Sequence, residues 1–250
     1  MILIPGLSSS GETWDTTVAR YKDRFECHVL TVAGFAGVPR VPAPMLDRVR
    51  EGIAAYIRKN KMERPVIIGH SLGGFLALDV AAKYPELPGR IVSLDGYPFF
   101  AGTSNPETTP AQAKEFSAQM RTYMDTQTQD MYERFVKSGM ATRTMVEKES
   151  DFERIVSWGL ATDRTAVADA LAELMLADLR EQIAKIKCPV LVLASYIGFT
   201  NATRASVEAN LKRQFAKVAD VVIQITDTAH HFIMWDDPDW MFDQMDRFLK

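Results

Sequence analysis

The chain has 250 residues, of which 47% are hydrophobic and 24% are charged, and its formal net charge at pH 7 is −3. This composition is ordinary for a globular protein with a sizeable core, and the length fits one domain or one domain with an insertion. Lysine and arginine are scattered singly, which argues against a nucleic-acid partner, and the longest apolar runs are far too short to span a membrane.

Predicted strands and helices alternate along most of the chain. The strand candidates are contiguous apolar runs, as expected for strands buried on both faces, at residues 2–4, 28–32, 66–68, 91–94, 190–194 and 221–225. Helix-like stretches cover about residues 13–21, 45–60, 72–84, 203–215 and 238–249. This order predicts an α/β fold in which a mostly parallel sheet is flanked by helices.

Residues 98–187 break this alternation, because they contain helical periodicity but no strand candidate. Two helices are predicted there, over residues 109–124, with Pro110 in the first turn, and over residues 163–179. We expect a helical insertion that sits over the sheet. It holds half of the chain's 12 methionines: Met120, Met124, Met131, Met140, Met145 and Met175. These side chains suit either an adaptable apolar pocket or the insertion's own core.

The two cysteines, Cys27 and Cys188, each adjoin a predicted strand. They are too few for a disulfide framework, and no metal-ligand spacing accompanies them. We therefore expect buried free thiols and predict no metal site.

The segment GHSLG, residues 69–73, has the form G-x-S-x-G and lies between a predicted strand and a predicted helix. In that context the serine sits on a sharp turn, and small residues on either side let strand and helix approach closely. The turn also directs the backbone N–H of Leu72 towards the atom that Ser71 would attack. We interpret Ser71 as a nucleophile, which needs a base within hydrogen-bond reach.

The chain offers four histidines as that base. His28 opens a strand, and His70 adjoins the serine and is expected to point elsewhere on the sharp turn. His230 and His231 follow the last predicted strand, whose carboxyl end shares one edge of a parallel sheet with Ser71. We therefore expect the base to come from this pair.

Four segments resemble the α/β-hydrolase superfamily, and the resemblance covers nearly the whole chain. They are IPGLSSSGETWD, LTVAGFAG, GHSLGG and HFIMWDDPDWMFDQMDRFL, which resemble the loop after the third strand, the next strand and its loop, the nucleophile elbow, and the terminal catalytic loop and helix. The resemblance implies that His231 is the base and that the backbone N–H groups of Leu7 and Leu72 form the oxyanion hole. It also implies that residues 98–187 form a cap domain on a core made of residues 1–97 and 188–250.

Two features depart from the superfamily's usual pattern. Pro5-Gly6 stands where the superfamily usually carries His-Gly, but the donor is a backbone N–H, so the residue before the glycine need not be histidine. The earliest strands of the fold are missing, which leads us to expect a shortened N-terminus. The compartment, cytoplasmic or exported, stays open.

The acid that orients the base is absent from its usual place. Most of the superfamily carries it after the strand that corresponds to residues 190–194, where this chain has no Asp or Glu before Glu208. We favour Asp95, which ends the preceding strand at the same sheet edge and keeps the order serine, acid, histidine. Asp227, a neutral Asn201 and a carboxylate of the cap are the alternatives.

These residues predict a serine hydrolase that cleaves carboxylic esters of small to medium apolar substrates through an acyl-enzyme, with no cofactor. The same residues would serve C–C bond hydrolysis, a lactonase or a perhydrolase, whereas a serine at position 71 argues against dehalogenases, which need a carboxylate nucleophile. A small-ligand receptor or carrier with a vestigial triad is the alternative of another class. The expected partner is a small-molecule ester, and the oligomeric state stays open. The candidate pocket residues are Phe99, Phe100, Trp158 and Met175.

Overall fold

The computed structural model describes residues 1–250 and contains one sheet of six strands. The strands are β1 (Ile2–Ile4), β2 (His28–Val29), β3 (Val66–His70), β4 (Arg90–Leu94), β5 (Val190–Ala194) and β6 (Val221–Ile225). Their order across the sheet is β2-β1-β3-β4-β5-β6, and every neighbouring pair is parallel. The carboxyl ends of all six strands therefore lie along one edge of the sheet.

Ten α-helices connect and cover the strands. They are α1 (Asp15–Tyr21), α2 (Met45–Lys59), α3 (Leu72–Lys83), α4 (Pro110–Thr126), α5 (Gln129–Ser138), α6 (Glu149–Leu160), α7 (Arg164–Leu176), α8 (Arg204–Gln214), α9 (Ile233–Asp236) and α10 (Pro238–Phe248). None of them is both long enough and apolar enough to cross a membrane.

The core lies on both faces of the sheet, because successive side chains of a strand point to opposite faces. Ile2 and Ile4 of β1 belong to one apolar cluster, whereas Leu3 belongs to the other. Residues of α2, α3, α7 and α8 contribute to the first cluster, and residues of α1, α9 and α10 contribute to the second. The predicted α/β fold, with a parallel sheet flanked by helices, is confirmed.

Several element boundaries differ from the sequence prediction, and three of the differences lie near the predicted site. The predicted strand 28–32 ends at Val29, because β2 is an edge strand and its pairing with β1 stops there. β3 runs two residues further than predicted, because Gly69 and His70 pair with β4. The predicted helix 13–21 divides into a 3₁₀ turn, Gly11–Trp14, followed by α1, and the hydroxyl of Ser10 caps the turn by accepting from Glu12 N–H.

The stretch of residues 98–187, here called the helical segment, contains α4 to α7. Its two ends meet at an isolated antiparallel bridge between Phe99 and Asp178. Backbone hydrogen bonds from Gly37 to Ala161 (2.9 Å) and from Asp163 to Gly34 (2.9 Å) attach it to the loop after β2.

The six methionines of the helical segment do not share one environment. Met124 is buried, whereas Met131 and Met140 are 47% and 82% exposed. The two exposed side chains line neither a pocket nor the segment's core, so the expectation for the methionines as a group does not hold for them.

Candidate active site

Ser71 follows the last residue of β3 in a backbone conformation that is rare for a residue with a side chain. Its φ is 54° and its ψ is −116°. Such a conformation costs on the order of 1–3 kcal/mol and persists only where the surroundings enforce it. Here the Ser71 N–H donates to the Leu94 carbonyl (2.7 Å), and the Ser71 carbonyl accepts from Phe75 N–H (3.1 Å). The sheet and the first turn of α3 together therefore hold the serine in place.

Two glycines allow this turn to form. A side chain on Gly69 would lie 2.0 Å from the carbonyl oxygen of Gly73, and one on Gly73 would lie 2.1 Å from the carbonyl oxygen of Ile4. Neither position has room for a Cβ, because α3 packs directly on β3 and β1. The spacing G-x-S-x-G thus reflects the close approach of helix and sheet on both sides of the serine.

His231 is hydrogen-bonded to Asp95. The distance from His231 Nδ1 to Asp95 Oδ2 is 3.0 Å, and the two side chains are only 12% and 1% exposed. Because a carboxylate only accepts hydrogen bonds, Nδ1 carries a proton, and in the neutral ring the lone pair is therefore on Nε2. Nε2 makes no hydrogen bond with Ser71 Oγ in the structure, whereas Nδ1 is bonded to Asp95.

Ser195 holds the carboxylate of Asp95 from the opposite side. Its N–H donates to Oδ1 (2.8 Å) and its hydroxyl donates to Oδ2 (2.8 Å). Sequence reasoning missed this residue. The pairing of β4 with β5 would have revealed it. Leu94 pairs with Leu193, so the residues that follow them, Asp95 and Ser195 among them, are neighbours.

The alternatives to Asp95 lie elsewhere. Asp227 has a side chain that is 62% exposed and forms an ion pair with Arg204 (2.9 Å). Its carboxylate also accepts a hydrogen bond from the hydroxyl of Tyr196 (3.2 Å). Asn201 is exposed on the loop before α8. Neither Asp227 nor Asn201 is hydrogen-bonded to His231, whose ring bonds to Asp95.

His70 does not point away from the site, contrary to the expectation from the sharp turn. Its side chain is buried, and its ring centroid lies 4.5 Å from that of His231. The distance from His70 Nε2 to the carbonyl oxygen of His231 is 3.1 Å. Burial lowers the pKa of His70 well below its ordinary value, and the neighbouring His231 lowers it further.

The loop that carries the predicted oxyanion donor lies against the serine. A side chain on Gly6 would come within 3.2 Å of Ser71 Cβ, so this loop and the turn after β3 are in direct contact. Leu7 follows Gly6 and is half-buried. Leu72 is the first residue of α3, and the first N–H groups of a helix have no partner within it. Both predicted donors are thus close neighbours of the nucleophile in the chain or in space.

A second histidine–carboxylate pair lies beside the first. His230 Nδ1 is 3.0 Å from Asp236 Oδ2, which also accepts from the N–H of His230 (2.9 Å). The other oxygen of Asp236 accepts from the N–H of Glu147 in the helical segment (3.2 Å). The two adjacent histidines are therefore distinguished by their partners, and only His231 pairs with the predicted acid.

The structure does not gather the predicted pocket residues into one wall. Phe99 is fully buried beneath the guanidinium of Arg180, which lies 4.3 Å from its ring centroid. Trp158 is buried in the cluster on the α1 and α10 face, whereas Phe100, half-buried, packs against the opposite cluster. Met175 is half-buried on α7.

Two concavities described in the structure lie away from Ser71. One of about 440 Å³ is bordered by Arg40, Asp163 and Arg164, and one of about 290 Å³ lies over β1 and α2.

The His, Cys, Asp and Glu side chains, which are the types that commonly bind metal ions, do not cluster in the structure. No group of three or more His, Cys, Asp or Glu side chains is placed to hold a metal ion. Cys27 and Cys188 are both free, the first half-buried and the second buried, and burial raises the pKa of the Cys188 thiol to about 11.

Comparison with known proteins gives a consistent picture. A sequence profile of the alpha/beta hydrolase family matches residues 1–244. The pimeloyl-[acyl-carrier protein] methyl ester esterase of Citrobacter koseri is 26% identical over 200 residues, which cover 79% of this chain and 75% of that protein. The enol-lactonase of Burkholderia xenovorans has a similar structure, with a TM-score of 0.80 at 16% identity over 99% of this chain and 90% of that chain. An esterase of Thermogutta terrifontis also has a similar structure, with a TM-score of 0.76 at 17% identity over 99% of this chain and 88% of that chain.

Proposed function

The chain belongs to the alpha/beta hydrolase family and is a hydrolase, and from this premise we propose that it is a serine hydrolase that cleaves carboxylic esters of small to medium apolar substrates. The observation that carries the proposal is the hydrogen bond from His231 to Asp95, at the sheet edge where the strained turn holds Ser71. This pairing directs the proton of the neutral imidazole to Nδ1, so that Nε2 is the nitrogen that can act as a general base.

The proposed reaction proceeds through an acyl-enzyme. Ser71 Oγ attacks the ester carbonyl carbon while His231 Nε2 takes its proton, and the carboxylate of Asp95 stabilises the imidazolium. The N–H groups of Leu7 and Leu72 bind the oxyanion, and loss of one such donor typically costs about 2.7–4 kcal/mol of transition-state stabilisation. His231 then returns the proton to the leaving alcohol. In the second half of the reaction His231 Nε2 takes a proton from water as the water oxygen attacks the acyl carbonyl carbon, and it gives that proton to Ser71 Oγ as the carboxylic acid leaves.

We propose that the helical segment is a cap over this site. Two hydrogen bonds join it to the loop that carries His231. The N–H of Phe232 donates to the carbonyl of Met145 (3.2 Å), and the N–H of Glu147 donates to the carboxylate of Asp236 (3.2 Å). Half-buried apolar side chains from both parts of the chain, among them Leu7, Met120 and Val136, pack against one core cluster. These contacts support an apolar acyl or alcohol group as the one the cap selects.

The curated relative favours an ester among the reactions open to this site, because its name gives a methyl ester as substrate. That ester is carried on a protein, which would need a docking face on the enzyme. In the helical segment, acidic residues outnumber basic ones, and Arg121, Arg134 and Arg143 are each paired with a carboxylate. We therefore favour small free esters over a protein-borne one.

The test is replacement of Ser71 by Ala, with Ser138→Ala on an exposed face of α5 as matched control. We expect Ser71→Ala to lose both hydrolysis of short p-nitrophenyl esters and labelling by a fluorophosphonate, while the control keeps both. The wild-type enzyme should be profiled on esters, lactones, C–C substrates and peracid formation. Labelling without turnover of any of these would favour the receptor or carrier, and unchanged rates in Ser71→Ala would remove the nucleophile.

A further inference from the structure

His70 is the x before the serine in G-x-S-x-G, and its side chain is only 1% exposed. The imidazole lies against two rings of the loop after β6. Its centroid is 4.5 Å from that of His231 and 4.5 Å from that of Phe232. A residue next to the nucleophile is therefore packed directly on the residue proposed as the base.

The hydrogen bonding of His70 defines its tautomer. Nε2 lies 3.1 Å from the carbonyl oxygen of His231, and a carbonyl only accepts, so Nε2 carries the proton. Nδ1 is buried without any hydrogen-bond partner. It faces the loop after β1, where a side chain on Gly6 would lie 3.0 Å from it. A second proton on Nδ1 would find no acceptor there, and the positive charge would oppose an imidazolium at His231.

The loop that carries His231 is held by the helical segment, through Met145 and Glu147, and by His70. It follows β6, an edge strand whose residues alternate between half-buried and exposed until Ile225. Asp95 holds the ring of His231, but it does not hold the backbone from which the ring extends. His70 bonds to that backbone and is covalently attached to Ser71, so it connects the main chain of His231 directly to the nucleophile.

We propose that His70 is a positioning residue for the base: its Nε2–H bond to the main-chain carbonyl of His231 sets the position of that residue relative to Ser71. The inference rests on the proposed function, because it assigns His231 as the base. The bond adds little to substrate binding, since it touches neither substrate nor the reacting atoms. It acts on the geometry of proton transfer, where a displacement of about 1 Å can cost about 10²-fold in rate.

The test compares His70→Gln with His70→Met. The two side chains are similar in size and shape, but only glutamine has an N–H that can donate to the His231 carbonyl. The kinetic constants kcat and KM are measured with p-nitrophenyl butyrate, and thermal unfolding is followed by circular dichroism. We expect His70→Met to lower kcat by about 10²-fold with KM nearly unchanged. His70→Gln should restore most of the loss, at an unfolding temperature close to that of His70→Met.

Other outcomes overturn the inference. Equal kcat values in the two variants, whether high or low, would mean that the hydrogen bond has no positioning role. Two variants that fail to fold would mean that the ring is required for packing instead. These results differ from a failure of the proposed function, in which Ser71→Ala itself would stay active.

Discussion

Asp95 is the residue on which the order of the proposed triad depends, and its carboxylate is fully committed in the structure. One oxygen accepts from His231 Nδ1 and from the Ser195 hydroxyl, and the other accepts from the Ser195 N–H. Asp95→Asn replaces one of these acceptors with an NH₂ group that opposes a donor. We expect kcat for p-nitrophenyl butyrate to fall by about 10⁴-fold, because His231 would be held in the wrong tautomer.

Asp227→Asn is the matched control for that substitution. Asp227 pairs with Arg204 and Tyr196 on the surface, so its loss should leave kcat close to the wild-type value. A large loss of kcat in Asp227→Asn, with little effect of Asp95→Asn, would transfer the role of the acid to Asp227.

At the residue scale, the sequence predicts site residues that belong to a local motif better than it predicts residues whose contacts depend on how two strands pair. A five-residue pattern predicts Ser71, and a strand end at the shared edge predicts Asp95. The same edge indicates the pair His230 and His231, from which the resemblance to the α/β-hydrolase superfamily selects His231. Ser195 was missed because its contact with Asp95 follows from the pairing of β4 with β5, 100 residues apart in the chain. His70 was set aside because a sharp turn does not reveal which way the preceding side chain packs.

At the scale of elements, the short helix α9 and the loop before it join the helical segment to the sheet. Asp236 at the end of α9 has a side chain that is 0% exposed and accepts hydrogen bonds from His230 and from Glu147 N–H. Hydrogen bonds to a charged group contribute about 1.5–3 kcal/mol each. We expect Asp236→Asn to lower the unfolding temperature and to lower kcat/KM, because the contact between the loop with His231 and the helical segment would weaken.

Asp239→Asn, an exposed position on α10, is the control for this change. It should leave both the unfolding temperature and kcat/KM unchanged. If Asp236→Asn behaved like this control, the contact with Glu147 would not hold the helical segment on the loop.

The elements that sequence reasoning located best carry their own start signals. Pro110 opens α4 and Asp163 caps α7 through the N–H groups of Thr165 and Ala166. Helix α5 was not located separately, although Thr128 caps it and Gly139 ends it at φ 66°. A capping threonine and a glycine with positive φ are the usual signals of a helix start and stop. They do not locate α5 in the sequence analysis, because that analysis treats this stretch by its helical periodicity alone.

At the scale of the whole molecule, one carboxylate joins the two ends of the chain. Asp246 on α10 accepts hydrogen bonds from Arg20 (2.6 Å) and Tyr21 (3.0 Å) on α1 and from Arg24 (3.2 Å). Partial burial acts to raise the pKa of Asp246, but the bonds from Arg20 and Tyr21 and the two guanidinium charges outweigh it, so the pKa is lowered. This cluster closes the α1 and α10 face of the sheet across 226 positions of sequence.

Asp246→Asn should therefore destabilise the protein in a pH-dependent way. A carboxyl whose pKa is lowered on folding contributes stability above its unfolded pKa, about 3.9, and that stability is lost as the pH falls through the folded value. Because the groups are partly exposed, we expect a loss of about 1 kcal/mol in the free energy of unfolding at pH 7. Urea unfolding from pH 7 to pH 3 should show the difference between wild type and variant shrinking below about pH 4. Asp243→Asn, exposed on the same helix, should show no difference at any pH, and a constant difference in Asp246→Asn would assign its effect to lost packing instead of lost charge.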